Sequence, residues 1–221
     1  EAGPATLLAE VDAAESDYVD AALGHMAAAT EFLSLEHPLL LDGEGLPELD
    51  VEFADRHVVV VTGDAGSEDQ LAALKPFIKE YRPVLVGVDG GAELLRAAKH
   101  SADVVVATPT ADRDGRAEGL ERVTELGVGA TTFPAAATAR DMALLLAFHG
   151  GAEMIVLTGD DRGLEGAFAP AAAPSGTMVD KAVSARLVHA DACATLYRSR
   201  GNGIGLALVV LPNAALYAGS Y

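Results

Sequence analysis

Three short stretches of the sequence combine glycines, carboxylates and hydroxyls at spacings that suit phosphate chemistry. The first is Val88-Asp89-Gly90-Gly91-Ala92, set between a β-branched run and a helical pattern. Paired glycines at such a junction let backbone amides turn outward at a helix start, where an anion can be held. Asp89 could then orient a ribose hydroxyl or a metal-bound water. It could equally cap the helix, leaving an ordinary tight turn between strand and helix. The second stretch, Thr158-Gly159-Asp160-Asp161-Arg162-Gly163, sets two carboxylates beside an arginine after an apolar run. Such a pair can hold Mg²⁺ with a phosphate, but a polar loop with a local ion pair is the reading the residues favour. The third is Thr138-Ala139-Arg140-Asp141, with the spacing of a helix capping box and Asp in the place of the usual Glu. Capping accounts for both Thr138 and Asp141 without any ligand.

Stronger signatures are missing. No G-x-G-x-x-G opens a helix after a strand, and no G-x-x-x-x-G-K-[ST] occurs. The six histidines show no metal-ligand spacing, and no Ser-His-Asp or Cys-His arrangement can be read. The single cysteine, Cys193, excludes an intrachain disulfide framework and suits a reducing cytoplasm. No metal site is expected from these residues.

The elements that must position these stretches can be read from periodicity. Val58 to Thr62, Val84 to Val88, Val104 to Ala107 and Met154 to Thr158 are short apolar, β-branched runs. Such runs suit strands buried on both faces. Gly129 to Phe133 reads as a further strand. Helical patterns fill the intervals at Glu68 to Tyr81, Gly91 to about Lys99, 117 to 126, and Asp141 to Phe148. The alternation predicts an α/β fold, an open parallel sheet with helices on both faces. Ligands of such sheets bind beyond the carboxyl ends of the strands, which is where Asp89 and Gly159 fall.

Charge divides the chain. Of 221 residues, 15 are Lys or Arg and 33 are Asp or Glu, a net charge of −18. That balance argues against non-specific nucleic-acid binding, which depends on cationic phosphate contacts. Residues 1 to 56 hold 14 of the acids and one base, Arg56. Within it residues 1–41 form an assembly segment, with a long helix expected from about Ala5 to Leu35 and a stop near His37-Pro38, because a residue before proline resists the helical region. Its apolar residues recur in steps of four and three, the spacing of a helix–helix seam. Val11, Tyr18, His25 and Phe32 are expected to pair there with a partner helix in a homodimer. Residues 42–56 read as a connector, 57–170 as the α/β domain, 171–202 as a short C-terminal subdomain and 203–221 as an apolar tail. From Gly203 to Ala218 no residue is charged, and Arg198 and Arg200 stand just before. The tail reads either as a short membrane anchor or as a buried element of the domain. Nothing at the N-terminus resembles a secretory signal.

Taken together, EYRPVLVGVDGGAELL, DGRAEGLERVTELGV, FPAAATARDMALLLAFHGGAEMIV, FLSLEHPLLLDGEGLP and LYRSR resemble one family. The Asp-Gly-Gly-Ala turn is similar to that of the thiamine pyrophosphokinase fold. The remaining stretches, in their order along the chain, resemble its divergent SteA-like branch, proteins of the bacterial cytokinetic ring. The resemblance runs from Phe32 to Arg200. It implies a thiamine pyrophosphokinase-like α/β fold in which Asp89, Gly90 and Gly91 face nucleotide phosphates. Thr138 and Asp141 would line the same cleft, with Gly159 and Asp160 nearby, and the ligand would be ATP or another nucleotide with Mg²⁺. It further implies a cytoplasmic protein tethered to the membrane through its C-terminus, with a cell-division or membrane protein as partner. Family members with full activity carry a Gly-Asp-x-Asp-Ser stretch after the Asp-Gly-Gly-Ala helix and a Gly-Gly-Arg-x-Asp-His signature. Here Ala98 is followed directly by Lys99, so the first is either absent or omitted at that junction. Asp160-Asp161-Arg162-Gly163-Leu164-Glu165 lacks the glycine pair and the histidine of the second. The resemblance therefore points to a largely non-catalytic scaffold. Its alternative is a true thiamine pyrophosphokinase, moving pyrophosphate from ATP to thiamine.

Overall fold

The structure is a computed structural model. It describes residues 4–108, 136–159 and 173–198, with side chains in the first helix described from Tyr18 onward. Five strands form one parallel sheet in the order β3-β2-β1-β4-β5: β1 His57–Val61, β2 Val84–Val88, β3 Val104–Val106, β4 Met154–Leu157 and β5 Leu187–His189. Among the described residues seven helices accompany it: α1 Pro4–Asp42, α2 Ser67–Ala73, α3 Lys75–Tyr81, α4 Gly91–Ala97, α5 Ala139–His149, α6 Pro174–Val183 and α7 Ala190–Arg198. The α/β class and the parallel sheet are as the alternating pattern predicts. The expected helix at 117–126 and strand at Gly129–Phe133 lie outside the described residues.

Side chains alternate across a strand, and the sheet divides its valines accordingly. Val58, Val60, Val84, Val86, Ile155 and Leu157 face a layer made by α1, α5 and α6. Val59, Val61, Leu85 and Val156 face α2, α3, α4 and α7. Both faces are covered, which explains why these strands read as unbroken apolar runs.

Three boundaries differ from the sequence reading. The first helix does not stop at His37-Pro38. It kinks at Glu36 (φ −110°, ψ 18°) and continues to Asp42. Pro38 thus falls in the first turn of the resumed helix, where its missing N–H is not needed. The expected connector is packed: Phe53 is buried in the core, and Leu46, Leu49 and Val51 pack against it. The segment expected as a C-terminal subdomain supplies β5, which pairs with β4, so it completes the same sheet.

The junction of Ala98 and Lys99 is a closed helix end. Ala98 N–H donates to the Leu94 carbonyl (2.9 Å), Lys99 N–H to Arg96 (3.0 Å) and His100 N–H to Leu95 (2.9 Å). Lys99 takes the left-handed conformation, φ 65°, as helix-terminating residues do.

Candidate functional site

In a sheet ordered β3-β2-β1-β4-β5 the chain runs outward from β1 in both directions, so the reversal falls between β1 and β4. A crevice beyond the carboxyl ends of the strands is expected there. Three stretches meet at this place: Thr62-Gly63-Asp64 after β1, Asp89-Gly90-Gly91 after β2, and Thr158-Gly159 after β4.

Beneath the crevice is a closed ring of hydroxyls. Thr62 Oγ1 donates to the Thr158 carbonyl at 3.1 Å, and Thr158 Oγ1 donates to Ser67 Oγ at 3.2 Å. Each hydroxyl has one proton, so Ser67 must donate to Thr62 Oγ1 across their 3.1 Å contact. Thr62 N–H also donates to Thr158 Oγ1 at 3.1 Å. All three side chains are buried and all are satisfied, so the ring ties β1 to β4 and leaves no hydroxyl for a ligand.

Asp89 has a structural task. Its backbone is left-handed, φ 46°, which Asp tolerates better than most residues. Its N–H donates to the Val106 carbonyl at 2.9 Å, and its Oδ1 accepts the Thr108 N–H at 2.8 Å. Asp89 thereby fastens the chain leaving β3 to the end of β2.

The two glycines after it differ. A Cβ on Gly91 would lie 1.8 Å from the Val61 carbonyl oxygen, so glycine there lets α4 pack onto β1. Gly90 has φ −62° and ψ −11°, open to any residue, and a Cβ on it would meet only Gly63 Cα, at 3.5 Å. It is exposed, and among the described residues neither its N–H nor that of Gly91 has a backbone acceptor. Neither backbone conformation nor packing requires glycine at position 90.

Gly159 is buried on the other side of Thr62, in a conformation (φ 112°) that side chains rarely adopt. A Cβ there would meet Thr62 Oγ1 at 2.7 Å and Asp64 Oδ2 at 3.0 Å. Gln70 binds it, and nothing in the local sequence signals this partner, 89 positions away. Asp160, expected beside it, lies outside the described residues.

Thr138 and Asp141 form the complete capping box read from the sequence. Asp141 is also turned into the α5–α6 interface at 1 % exposure, accepting from Ser175 Oγ at 2.6 Å and from Arg140 Nη1 at 3.2 Å. Arg140 bridges onward to Asp180 at 2.8 Å. Burial pushes the Asp180 carboxyl up, with Arg140 opposing. Ser175 and Asp180 were absent from the sequence reading. The carboxylates of Asp89 and Asp141 thus already serve the fold. Among the described residues no three His, Cys, Asp or Glu side chains gather as a metal-binding group. Asp160 and Asp161, the carboxylate pair read as able to hold Mg²⁺, lie outside the described residues.

Of the four residues expected at a dimer seam, two are engaged within the chain. Phe32 is buried in the core, and His25 Nε2 shares a 2.9 Å hydrogen bond with Thr177 Oγ1 on α6. These two therefore face this chain's own sheet layer and not a partner helix. Tyr18 is exposed, and the Val11 side chain lies outside the described ones.

A separate cleft of about 290 Å³ opens at the opposite, amino-terminal edge of the sheet, lined by His57, Phe77, Tyr81, Met154 and Tyr197. Along it His57 pairs with Glu153 and stacks on Tyr81, and Tyr197 donates to Glu80. No helix of the described residues is long and apolar enough to cross a membrane. The tail expected as anchor or core lies outside them.

No family model matches the chain, and no curated protein matches it.

Proposed function

We propose that the crevice beyond β1, β2 and β4 binds the phosphate of a nucleotide without efficient turnover. The chain then serves as an α/β scaffold, which by its resemblance to SteA-like proteins would act in bacterial cell division. The observation that carries the binding reading is Gly90. It is a glycine at the mouth of the crevice that neither its backbone conformation nor its packing requires, and among the described residues its own amide and that of Gly91 have no backbone acceptor. Close approach of a phosphate to the backbone is a physical reason for having no side chain there. The scaffold reading is supported by Asp141: phosphoryl transfer relies on metal-held phosphates, and this carboxylate is buried at 1 % exposure and accepts from Ser175 on α6.

The test is thermal unfolding with ATP, ADP and AMP. A ligand at 100 times its Kd stabilises by about 2.7 kcal/mol. The wild-type shift should vanish in Gly90→Val, whose stability without ligand should be nearly unchanged. No shift in the wild type at millimolar nucleotide would make the turn purely structural. Release of AMP from ATP, Mg²⁺ and thiamine at ~1 s⁻¹ or faster would replace the scaffold by a working kinase.

A further inference from the structure

We propose that α1 carries a docking surface for a cationic amphipathic helix of another protein. The surface is the stripe Val19, Leu23, Met26 and Leu33, which are 52 %, 63 %, 42 % and 38 % exposed. With Thr30 they follow one another in steps of 4, 3, 4 and 3 residues, the spacing by which one helix receives another. At about 100° per residue the stripe lies roughly a quarter turn from Ala29 and Phe32, which face the core. It is thus a second apolar face, distinct from the one the sheet layer uses. Ala22 and Ala27 border it and are small enough to let a second helix approach closely.

Charge selects the occupant. From Pro4 to Asp42 the helix has eight acids and no Lys or Arg. Asp20 stands beside the stripe, in a position where paired helices exchange ions across a seam. A second copy would set acids against acids, and an anionic membrane would be repelled in the same way. A helix with Leu, Ile or Val at heptad spacing and Lys or Arg on its flanks matches both the stripe and its borders. This inference is independent of any ligand at Gly90.

The probe is a designed four-heptad peptide with Leu at its seam positions and Lys on both flanks, titrated onto the full chain by fluorescence anisotropy. Saturable binding is expected at ~50 mM salt and weaker binding at ~300 mM, by screening. Leu23→Gln with Met26→Gln should weaken it about tenfold or more, as loss of central apolar anchors does. Both side chains are exposed, so helicity and unfolding temperature should not change. If that pair nevertheless perturbs folding, Asp20→Lys supplies the second arm and should shift preference to a Glu-flanked peptide. The proposal is overturned if no binding occurs, or if a scrambled Lys peptide binds as well. It is also overturned if the stripe substitutions have no effect, or if sedimentation shows them converting a dimer of this chain to monomer.

Discussion

Gln70 holds Gly159 by both ends of one carboxamide. The Gly159 N–H donates to Gln70 Oε1 at 2.8 Å, and Gln70 Nε2 donates to the Gly159 carbonyl at 3.2 Å. The side chain thus imitates a neighbouring strand for one residue beyond β4. Its Nε2 also reaches Asp191 Oδ2 on α7 at 2.8 Å, so α2, α7 and the floor of the crevice are joined through a single amide. Gln70→Leu should leave the buried Gly159 N–H without its acceptor and destabilise by about 1–3 kcal/mol. Gln70→Glu restores that acceptor but neither donor, and sets a second carboxylate against Asp191. Urea unfolding should find Glu no better than Leu. Wild-type stability in either variant would show the clamp to be dispensable.

Adjacent glycines should respond oppositely to alanine. Gly91→Ala forces a methyl to within 1.8 Å of the Val61 carbonyl, a backbone atom of a central strand that cannot turn aside. A loss of ~3 kcal/mol or more, or failure to accumulate folded protein, is expected. Gly90→Ala has room and a helical backbone, so its stability should stay within about 1 kcal/mol of wild type, on the stabilising side. Chemical denaturation of the pair separates a packing glycine from one kept for another reason.

The Asp180 carboxyl has a definite pH signature. Partial burial raises its folded value above the ordinary 3.8, with Arg140 pulling the other way. A raised acid contributes stability that is fully present below 3.8 and is lost as pH rises through the folded value. Asp180→Asn removes this titration and can still accept from Arg140. The stability of the variant relative to wild type should therefore climb as pH rises from below 3.8 and level off once the folded carboxyl has ionised. A relative stability that falls over the same interval would mean that the Arg140 pair outweighs burial.

Cys193 offers an intrinsic probe of unfolding. It is buried on the core-facing side of α7, and burial pushes its thiol above the usual 9.0. The thiolate is the reacting form, so at pH 8 a disulfide reagent should modify the folded chain far more slowly than the chain in strong urea. The rate should follow opening of the α7 layer, and variants at Gln70 should accelerate it. Equal rates in the folded and unfolded chain would contradict the placement of this residue.

The sheet was legible because its strands are short β-branched runs that bury both faces, and no other element has that composition. β5 escaped notice: Leu187-Val188-His189 is three residues long and draws its identity from pairing with β4. On α1, Phe32 and His25 meet this chain's own core and α6. Periodicity reports that Phe32 must be covered, but not whether its own sheet or another molecule covers it. Pro38 was read as a stop because a proline at a helix end and one in the first turn of a resumed helix look alike in sequence. At the crevice, Asp89, Gly90 and Gly159 were visible as residue types. The partners that define them, Thr108, Gly63 and Gln70, were not, because each contact joins segments far apart along the chain.

The kink at Glu36 has a mechanical consequence. Below it, Leu39 and Leu40 are set into the same apolar layer as Phe32, Phe53 and α5, so α1 is rooted in the core on both sides of the bend. A helix hung from a slack tether would let a bound partner swing freely. A rod anchored in this way fixes heading: whatever grips Val19 to Leu33 also sets the direction in which the crevice beyond β1 and β4 points. Two such molecules lined up by their rods would present their crevices in a common orientation, and a pull on the rod would load the sheet itself.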